Sequence, residues 1–231
     1  MKLKSALLAL ALTSSIAMAA PVPNAEIAKV NNFITTLLGD LSGAVQVAFL
    51  SAERSTDGKT VTAAKVKVAS QDLAKMELDA KVVGDDLLVN AQLEVDASKQ
   101  ELSDETIAES QKKLEDYIAH VNKGADYVAA LKMSTTSVGK VLAITVSKKA
   151  GAQTPAIKNL NFEMTYPVDL KKGKIKATLK SSFDRKNDEV KLAQESADRI
   201  FATVSTGGTP DQKDFQILLD MFLDLMSEVQ I

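Results

Sequence analysis

Few residues in this chain have the chemistry for catalysis or metal binding. The sequence contains a single histidine, His120, and no cysteine. A catalytic dyad or a zinc site needs a second residue of defined type at a defined spacing, and none accompanies His120. Asp57, Asp85 and Asp86 occupy short turns that lack the alternating acidic spacing of a calcium loop. We therefore expect no metal, no cofactor and no catalytic residue, and we predict that the protein is not an enzyme.

Lysines form the densest charged patch: Lys171, Lys172, Lys174, Lys176 and Lys180. The last three alternate along one side of a predicted strand, a stripe that would attract anionic headgroups or polymers at low ionic strength. The alternative, which we favour, is a solvated face that protects the strand from edge pairing. The whole chain has a net charge of −2, 4% aromatic residues and no Trp. This composition argues against a nucleic-acid-binding protein.

The first 19 residues have the layout of a secretory signal peptide. Lys2 and Lys4 precede an apolar run, and Ala17-Met18-Ala19 has the small residues of a cleavage site. The apolar run is shorter than the roughly 20 residues that span a bilayer. We interpret residues 1–19 as a signal peptide and expect a periplasmic or secreted mature chain without a transmembrane segment. The lack of cysteine favours the periplasm over a disulfide-rich extracellular setting.

Hydrophobic periodicity predicts helices that alternate with groups of strands. Residues 24–41 repeat apolar side chains at three- and four-residue steps, which is typical of a helix with one buried face. Residues 44–96 alternate apolar and polar side chains over four segments, and Gly84-Asp85 forms the clearest hairpin turn. A capped helix follows at 103–123, and four more alternating segments lie between 127 and 183. The pattern indicates antiparallel sheet with one covered and one solvated face.

The order of these elements indicates an internal duplication. Glu109-Ser110 recurs 86 residues later as Glu195-Ser196, and the same offset brings inward-facing positions of the third and fourth strands of each group into phase. We predict one α+β domain over 20–231 with the order α-ββββ-α-ββββ-α-α and pseudo-repeats at about 24–109 and 110–205. The helices are expected on one face of a curved sheet, with helix 103–123 shared by both halves. One continuous sheet and two sheets fit the pattern equally well.

The last predicted helix, residues 210–231, has no counterpart in the first half. Thr209 and Pro210 give it a start signal, and apolar residues cover more than one side of it. Burial of that surface would stabilise the fold by several kcal/mol at roughly 25 cal/mol per Å². We therefore expect either the rest of the chain or a partner to cover this helix.

The inward strand positions contain many small residues and flexible methionines. Small side chains leave space, and methionines adapt to varied ligands. We predict a non-enzymatic binding protein of the cell envelope that holds a hydrophobic or lipid-like molecule between sheet and helices. The expected groove is lined by Met76, Ala80, Ala91, Met133, Phe162, Met164, Phe222 and Met226. The alternative is a structural or interaction protein whose C-terminal amphipathic helix docks on a partner or a second copy.

Overall fold

The computed structural model describes residues 19–38, 45–70, 73–100, 102–153 and 155–217. Residues 1–18 of the predicted signal peptide lie outside these ranges. Residues 218–231 of the predicted C-terminal helix also lie outside them, including the predicted groove residues Phe222 and Met226.

The described chain is an α+β fold built on one antiparallel sheet of nine strands. The strand order is β1-β2-β3-β4-β5-β9-β8-β7-β6, so the sheet is continuous. The strands alternate in burial because one face is covered and the other is in water. Their bounds are β1 Ala20–Pro21, β2 Val45–Arg54, β3 Val61–Ser70, β4 Leu73–Val83, β5 Asp86–Asp96, β6 Tyr127–Thr136, β7 Gly139–Lys148, β8 Ile157–Pro167 and β9 Lys174–Asp184.

Two four-stranded meanders meet at the centre of this sheet. We call β2–β5 the first meander and β6–β9 the second meander. Their last strands pair along their whole length, from Asp86 opposite Asp184 to Asp96 opposite Lys174. Of the two arrangements that the sequence left open, the single continuous sheet is therefore the one found.

Corresponding strands of the two meanders have equal lengths of 10, 10, 11 and 11 residues. They begin 82, 78, 84 and 88 residues apart, so the constant offset of 86 residues is wrong as a structural register. The cause is loop length, since the turns that join the strands differ between the meanders. Every offset is even, however, and an even shift keeps each side chain on its side of the sheet. This explains why the constant offset still brought inward residues into phase.

Three helices and a short helical segment pack with the described sheet: α1 Asn24–Leu38, α2 Asp104–Lys123, α3 Asp188–Ser205 and helical residues 212–217. Ser103 caps α2 as predicted, in a reciprocal box with Thr106. Asn187 caps α3 through the backbone N–H groups of Glu189 and Val190. None of the described helices is both long and apolar enough to cross a bilayer.

The main core lies between the first meander and the helices α1 and α3. Phe201 of α3 is 1% exposed and meets the edge of the Phe49 ring of β2 at 6.1 Å between ring centroids. The guanidinium of Arg54 lies over the Phe201 ring, 5.0 Å from its centroid, and also pairs with Glu26 of α1 at 2.8 Å. The end of β2 is thus tied to both helices by aromatic, cation–π and ionic contacts.

The second meander packs with α2 in a separate cluster. Ile107 of α2 and Leu142 of β7 are its most buried large side chains, at 3% and 1% exposed. The helix α2 packs principally on β6, although Val95 and Ala97 of the first half belong to the same cluster, so the two halves contact this predicted shared helix unequally. The physical reason is topology: β6 is the outermost strand of its meander, and the chain passes directly from α2 into β6.

Candidate functional site

The residues with potential for catalysis form no reactive constellation. His120 is exposed in the last turn of α2. Asp85 and Asp86 pair with Lys186 and Lys158 respectively, and these ion pairs fasten the turn between β4 and β5 to neighbouring elements. Within the described ranges, no group of three or more His, Cys, Asp or Glu side chains is placed to hold a metal ion.

The lysine stripe is partly neutralised by acidic neighbours. Lys174 pairs with Glu94 of β5 at 2.9 Å, and this contact raises the pKa of Lys174 above its ordinary value. Lys172 lies 4.0 Å from Asp169. Lys176 stands opposite Glu94 in the same antiparallel register. Alternation with acidic residues on the adjacent strand makes this surface a mixed-charge solvated face.

A row of inward side chains crosses the whole sheet and changes character at its centre. Successive strand registers place its eight members side by side: Phe49, Val66, Leu78, Ala91, Leu179, Phe162, Ile144 and Leu131. The first three, in β2, β3 and β4, are each 2% exposed. The other five are only half-buried. The described helices therefore cover the first meander much more completely than the second.

We call the half-buried apolar side chains of the second meander the open face: Leu131, Met133, Ile144, Val146, Leu160, Phe162, Met164 and Leu179. They point to the covered side of the sheet, and among the described helices α2 is the one that packs in their cluster, principally against β6. Flexible methionines and one rigid aromatic ring are combined in this surface. Such a surface suits apolar ligands of varied shape.

The placement of α3 explains why this face stays open. After β9, Arg185 donates a hydrogen bond to the carbonyl oxygen of Gly84 at 2.8 Å and another to Gln194 of α3 at 3.2 Å. Further along, Asp198 accepts from the backbone N–H of Val61 at 3.1 Å. These contacts direct α3 over the first meander. Burial lowers the pKa of Arg185, although its guanidinium remains charged in proteins.

The predicted groove residues divide between packed core and open face. Met76 and Ala80 are buried at 8% and 4% exposed, so neither lines a groove. Ala91 is half-buried beside the main core. Met133, Phe162 and Met164 all belong to the open face, whereas Phe222 and Met226 lie outside the described residues.

A cleft of ≈ 350 Å³ adjoins the open face at the edge of the sheet. One wall is the first two turns of α2, and the other is the end of β6 with the start of β7. It is lined by Asp104, Ile107, Ala108, Gln111, Met133, Ser134, Thr135 and Lys140. Lys140 and Asp104 close one end of the cleft with an ion pair of 2.6 Å. The buried Tyr166 belongs to the cluster beneath, and desolvation raises the pKa of its phenol above the ordinary 10.0.

The turn beside this cleft depends on a glycine. Gly139 has φ of +135°, and a Cβ at this position would lie 1.8 Å from the carbonyl oxygen of Tyr166. Any side chain here would displace β7 from β8. Gly139 therefore fixes the close approach of β7 to β8 and thereby the wall that carries Lys140.

Two asparagines that the sequence analysis missed bind the outer edges of the meanders. Asn31 of α1 donates to the carbonyl oxygen of Phe49 and accepts from its N–H, at 3.1 and 2.8 Å. Asn122 of α2 makes the same two bonds with Ala129, at 2.8 and 2.7 Å. A helical asparagine usually indicates only a solvated or capping position, so no local pattern distinguishes these two.

Comparison of the chain with protein-family models, curated proteins and solved structures gave no match in any of the three. A functional assignment must therefore be argued from the geometry of the open face and the edge cleft.

Proposed function

We propose that this protein is an exported, non-enzymatic binding protein of the cell envelope that holds a hydrophobic or lipid-like molecule against the open face. The observation that carries the proposal is the asymmetry of the inward row. Leu78 is 2% exposed on the first meander, whereas Leu179 and Phe162 in the same row are half-buried. An apolar surface on the inner side of a sheet that the described part of the chain leaves partly exposed is a candidate binding site.

The size of the open face fits a small apolar ligand. It spans the four strands β6–β9, which at about 4.8 Å between neighbours is about 14 Å across. Burial of this area would favour binding by roughly 25 cal/mol per Å² before the entropic cost of association. The half-buried Phe162 stands near the middle of the surface, between Ile144 and Leu179 in register. It is therefore the side chain whose change should affect binding most.

We further propose that the two meanders are a duplicated α-ββββ unit within one domain. Equal strand lengths support this origin, as does a helical asparagine that binds the edge strand of each unit, although the two bound positions differ by two residues in register. The proposed duplication would give two similar sheets, of which α3 covers one. The proposed binding surface is then the inner side of the second meander, over which α3 does not lie.

The proposed export is compatible with the contacts of the N-terminal segment. Ala20 and Pro21 pair with the end of β2, and Val22 is 5% exposed in the main core. A mature chain that starts at Ala20 would keep these contacts. N-terminal sequencing of the protein from the periplasmic fraction should give Ala20 as the first residue, and recovery of full-length chain from the cytoplasm would contradict export.

Fluorescent fatty-acid titration of the purified protein tests the ligand. We expect saturable binding to the wild type and at least about tenfold weaker binding to Phe162→Gln. A matched control is Val128→Gln, because Val128 is 47% exposed on the opposite side of the sheet and should be neutral. No saturable binding, or equal loss in both variants, would overturn the proposal.

The same titration distinguishes the alternative, an interaction protein that acts through its C-terminal helix. Helical residues 212–217 are anchored on the chain itself, because Phe215 stacks on Phe33 at 5.8 Å and Asp214 pairs with Arg199 at 2.7 Å. We therefore expect a chain truncated after Ile217 to stay folded and to bind the fatty acid. Loss of a copurifying partner on truncation, without any fatty-acid binding by the wild type, would favour the alternative.

A further inference from the structure

Within the part of the chain that the structure describes, the outer edge of β6 has backbone groups at the cleft that no other strand pairs. Ala129 directs its N–H and C=O away from β7 to Asn122, so the residues of the same parity, Leu131, Met133 and Thr135, direct theirs outward too. Among the described residues, no hydrogen bond reaches these outward groups. A bare strand edge of this kind is a template for another strand.

The corresponding edge of the first meander is occupied. There β1 pairs antiparallel with the end of β2, with Ala20 opposite Arg54 and Pro21 opposite Glu53. The N–H of Val22 then donates to the carbonyl oxygen of Ala52 at 2.9 Å, and the Val22 side chain enters the main core. A short extended segment with one apolar anchor is thus sufficient to complete that edge.

The sheet register places the cleft at the equivalent position. Ala52 pairs with Ala64, the fourth residue of β3, and Met133 pairs with Leu142, the fourth residue of β7. Met133 therefore corresponds to Ala52. Met133 lines the cleft together with the neighbouring Ser134 and Thr135. Within the described ranges, no strand of the chain therefore pairs with β6 at the position where β1 pairs with the first meander.

The geometry points to an extended peptide of a partner protein as the occupant, added to β6 as an antiparallel strand at Met133–Thr135. Its N–H and C=O groups would pair with the outward groups of β6. One small or branched apolar side chain would enter the cleft between Ile107 and Ala108 on one side and Met133 on the other, as Val22 does in the first meander. This is recognition by strand addition, in which backbone bonds give affinity and a side-chain pocket gives selectivity.

A second copy of the chain fits this edge less well. Asn122 already occupies the outward groups of Ala129, so two β6 strands would share only a short pairing. That pairing would also bring together the exposed Glu105 side chains of two α2 starts, whereas Asp104 is already paired with Lys140. Like charges oppose such an approach, whereas an uncharged peptide meets no such repulsion.

The test uses a labelled, terminally blocked peptide with the sequence of residues 19–23, which is uncharged and contains both the strand β1 and the Val22 anchor of the equivalent edge. We expect saturable binding to the full chain by fluorescence anisotropy and at least about tenfold weaker binding to Ala108→Trp, which fills the cleft. Thr135→Pro should weaken binding similarly, because it removes an outward N–H and leaves the bonds to β7. Ala119→Trp is the matched control, since Ala119 is exposed on the same helix away from the cleft.

Several outcomes would overturn the inference. Absence of saturable binding, or equal binding to all variants, would exclude a peptide at this edge. A dimer in analytical ultracentrifugation that Ala108→Trp dissolves would assign the edge to a second copy. Binding that appears only after truncation at Ile217 would assign it to the chain's own C-terminal segment. The inference does not rest on the fatty-acid proposal, because Phe162→Gln should leave peptide binding unchanged.

Discussion

Two leucines in the same inward row test whether the second meander is open. Leu78 of β4 is 2% exposed, and Leu179 of β9 is half-buried. Both are flanked in register by Ala91. Truncation to alanine removes the same atoms at both positions, so any difference in stability reports how well each side chain is covered.

The expected magnitudes follow from burial. Leu78→Ala loses the transfer free energy of its buried methyl and methylene groups and leaves a cavity among Val66, Met76 and the helices, which costs about 3 to 4 kcal/mol. Leu179→Ala loses only part of the transfer term and leaves no enclosed cavity, which costs about 1 to 1.5 kcal/mol. For a chain of this length each kcal/mol lowers the Tm by about 2 to 4 °C.

Urea denaturation followed by far-UV circular dichroism, with calorimetry for Tm, measures both variants. We expect Leu78→Ala to lose at least about 1.5 kcal/mol more than Leu179→Ala without a change in the urea slope. A saturating fatty acid should protect the wild type more than Leu179→Ala. Equal destabilisation by the two substitutions would show that Leu179 is fully covered, and the reasoning for the open face would then fail.

Three further predictions concern polar groups. The Thr62 hydroxyl is buried without a hydrogen-bond partner among the described residues, so Thr62→Val should raise the unfolding free energy by about 1 kcal/mol in urea titrations. A decrease in the unfolding free energy would show that the hydroxyl does have a hydrogen-bond partner. Asn122→Ala should destabilise the chain by about 1 kcal/mol and speed hydrogen exchange at the Ala129 amide, because the backbone N–H and C=O of Ala129 lose their partner. An unchanged exchange rate at Ala129 would contradict the role of the Asn122 side chain. The hydroxyl of Ser55 lowers the pKa of Asp57 below 3.8, so the charged carboxylate stabilises the fold above this pH, and its contribution is lost as pH falls through the folded pKa. In an acid titration, the unfolding free energy of Ser55→Ala should therefore depend less on pH than that of the wild type. Identical pH curves for the two proteins would refute this role of Ser55.

Local chemistry explains why most elements were predictable. Alternation of apolar and polar side chains predicted eight strands, since one face of the sheet is in water and the other is covered. Ser103 and Asn187 begin helices because their side chains bind backbone N–H groups a few residues later. Such signals are contained in short segments and do not depend on the rest of the fold.

The features that define the candidate sites are non-local and could not be read in the same way. The pairing of β5 with β9 joins residues about 90 positions apart. Hydrophobic periodicity predicts a strand but does not indicate which distant strand it pairs with. Periodicity gives no signal in the short Pro21-Val22-Pro23 segment, although Pro21 belongs to β1 and Val22 is buried. Met76 and Met133 have the same inward phase and the same residue type, yet one is core and the other is half-buried. Met76 lies in the core that α1 and α3 cover, whereas Met133 lies at the sheet edge beside α2.

The two proposed sites have one structural cause. Two other parts of the chain cover the first meander: β1 pairs with its edge, and α3 packs across its inner side. In the described part of the chain, no second segment equivalent to β1 or α3 lies on the second meander. An apolar ligand would take the place of α3 on the open face, and an extended peptide would take the place of β1 on β6. Met133 lies in both surfaces, but Phe162 belongs to the open face alone and Ala108 to the cleft alone. Phe162→Gln and Ala108→Trp should therefore each weaken one kind of binding at least about tenfold and leave the other unchanged.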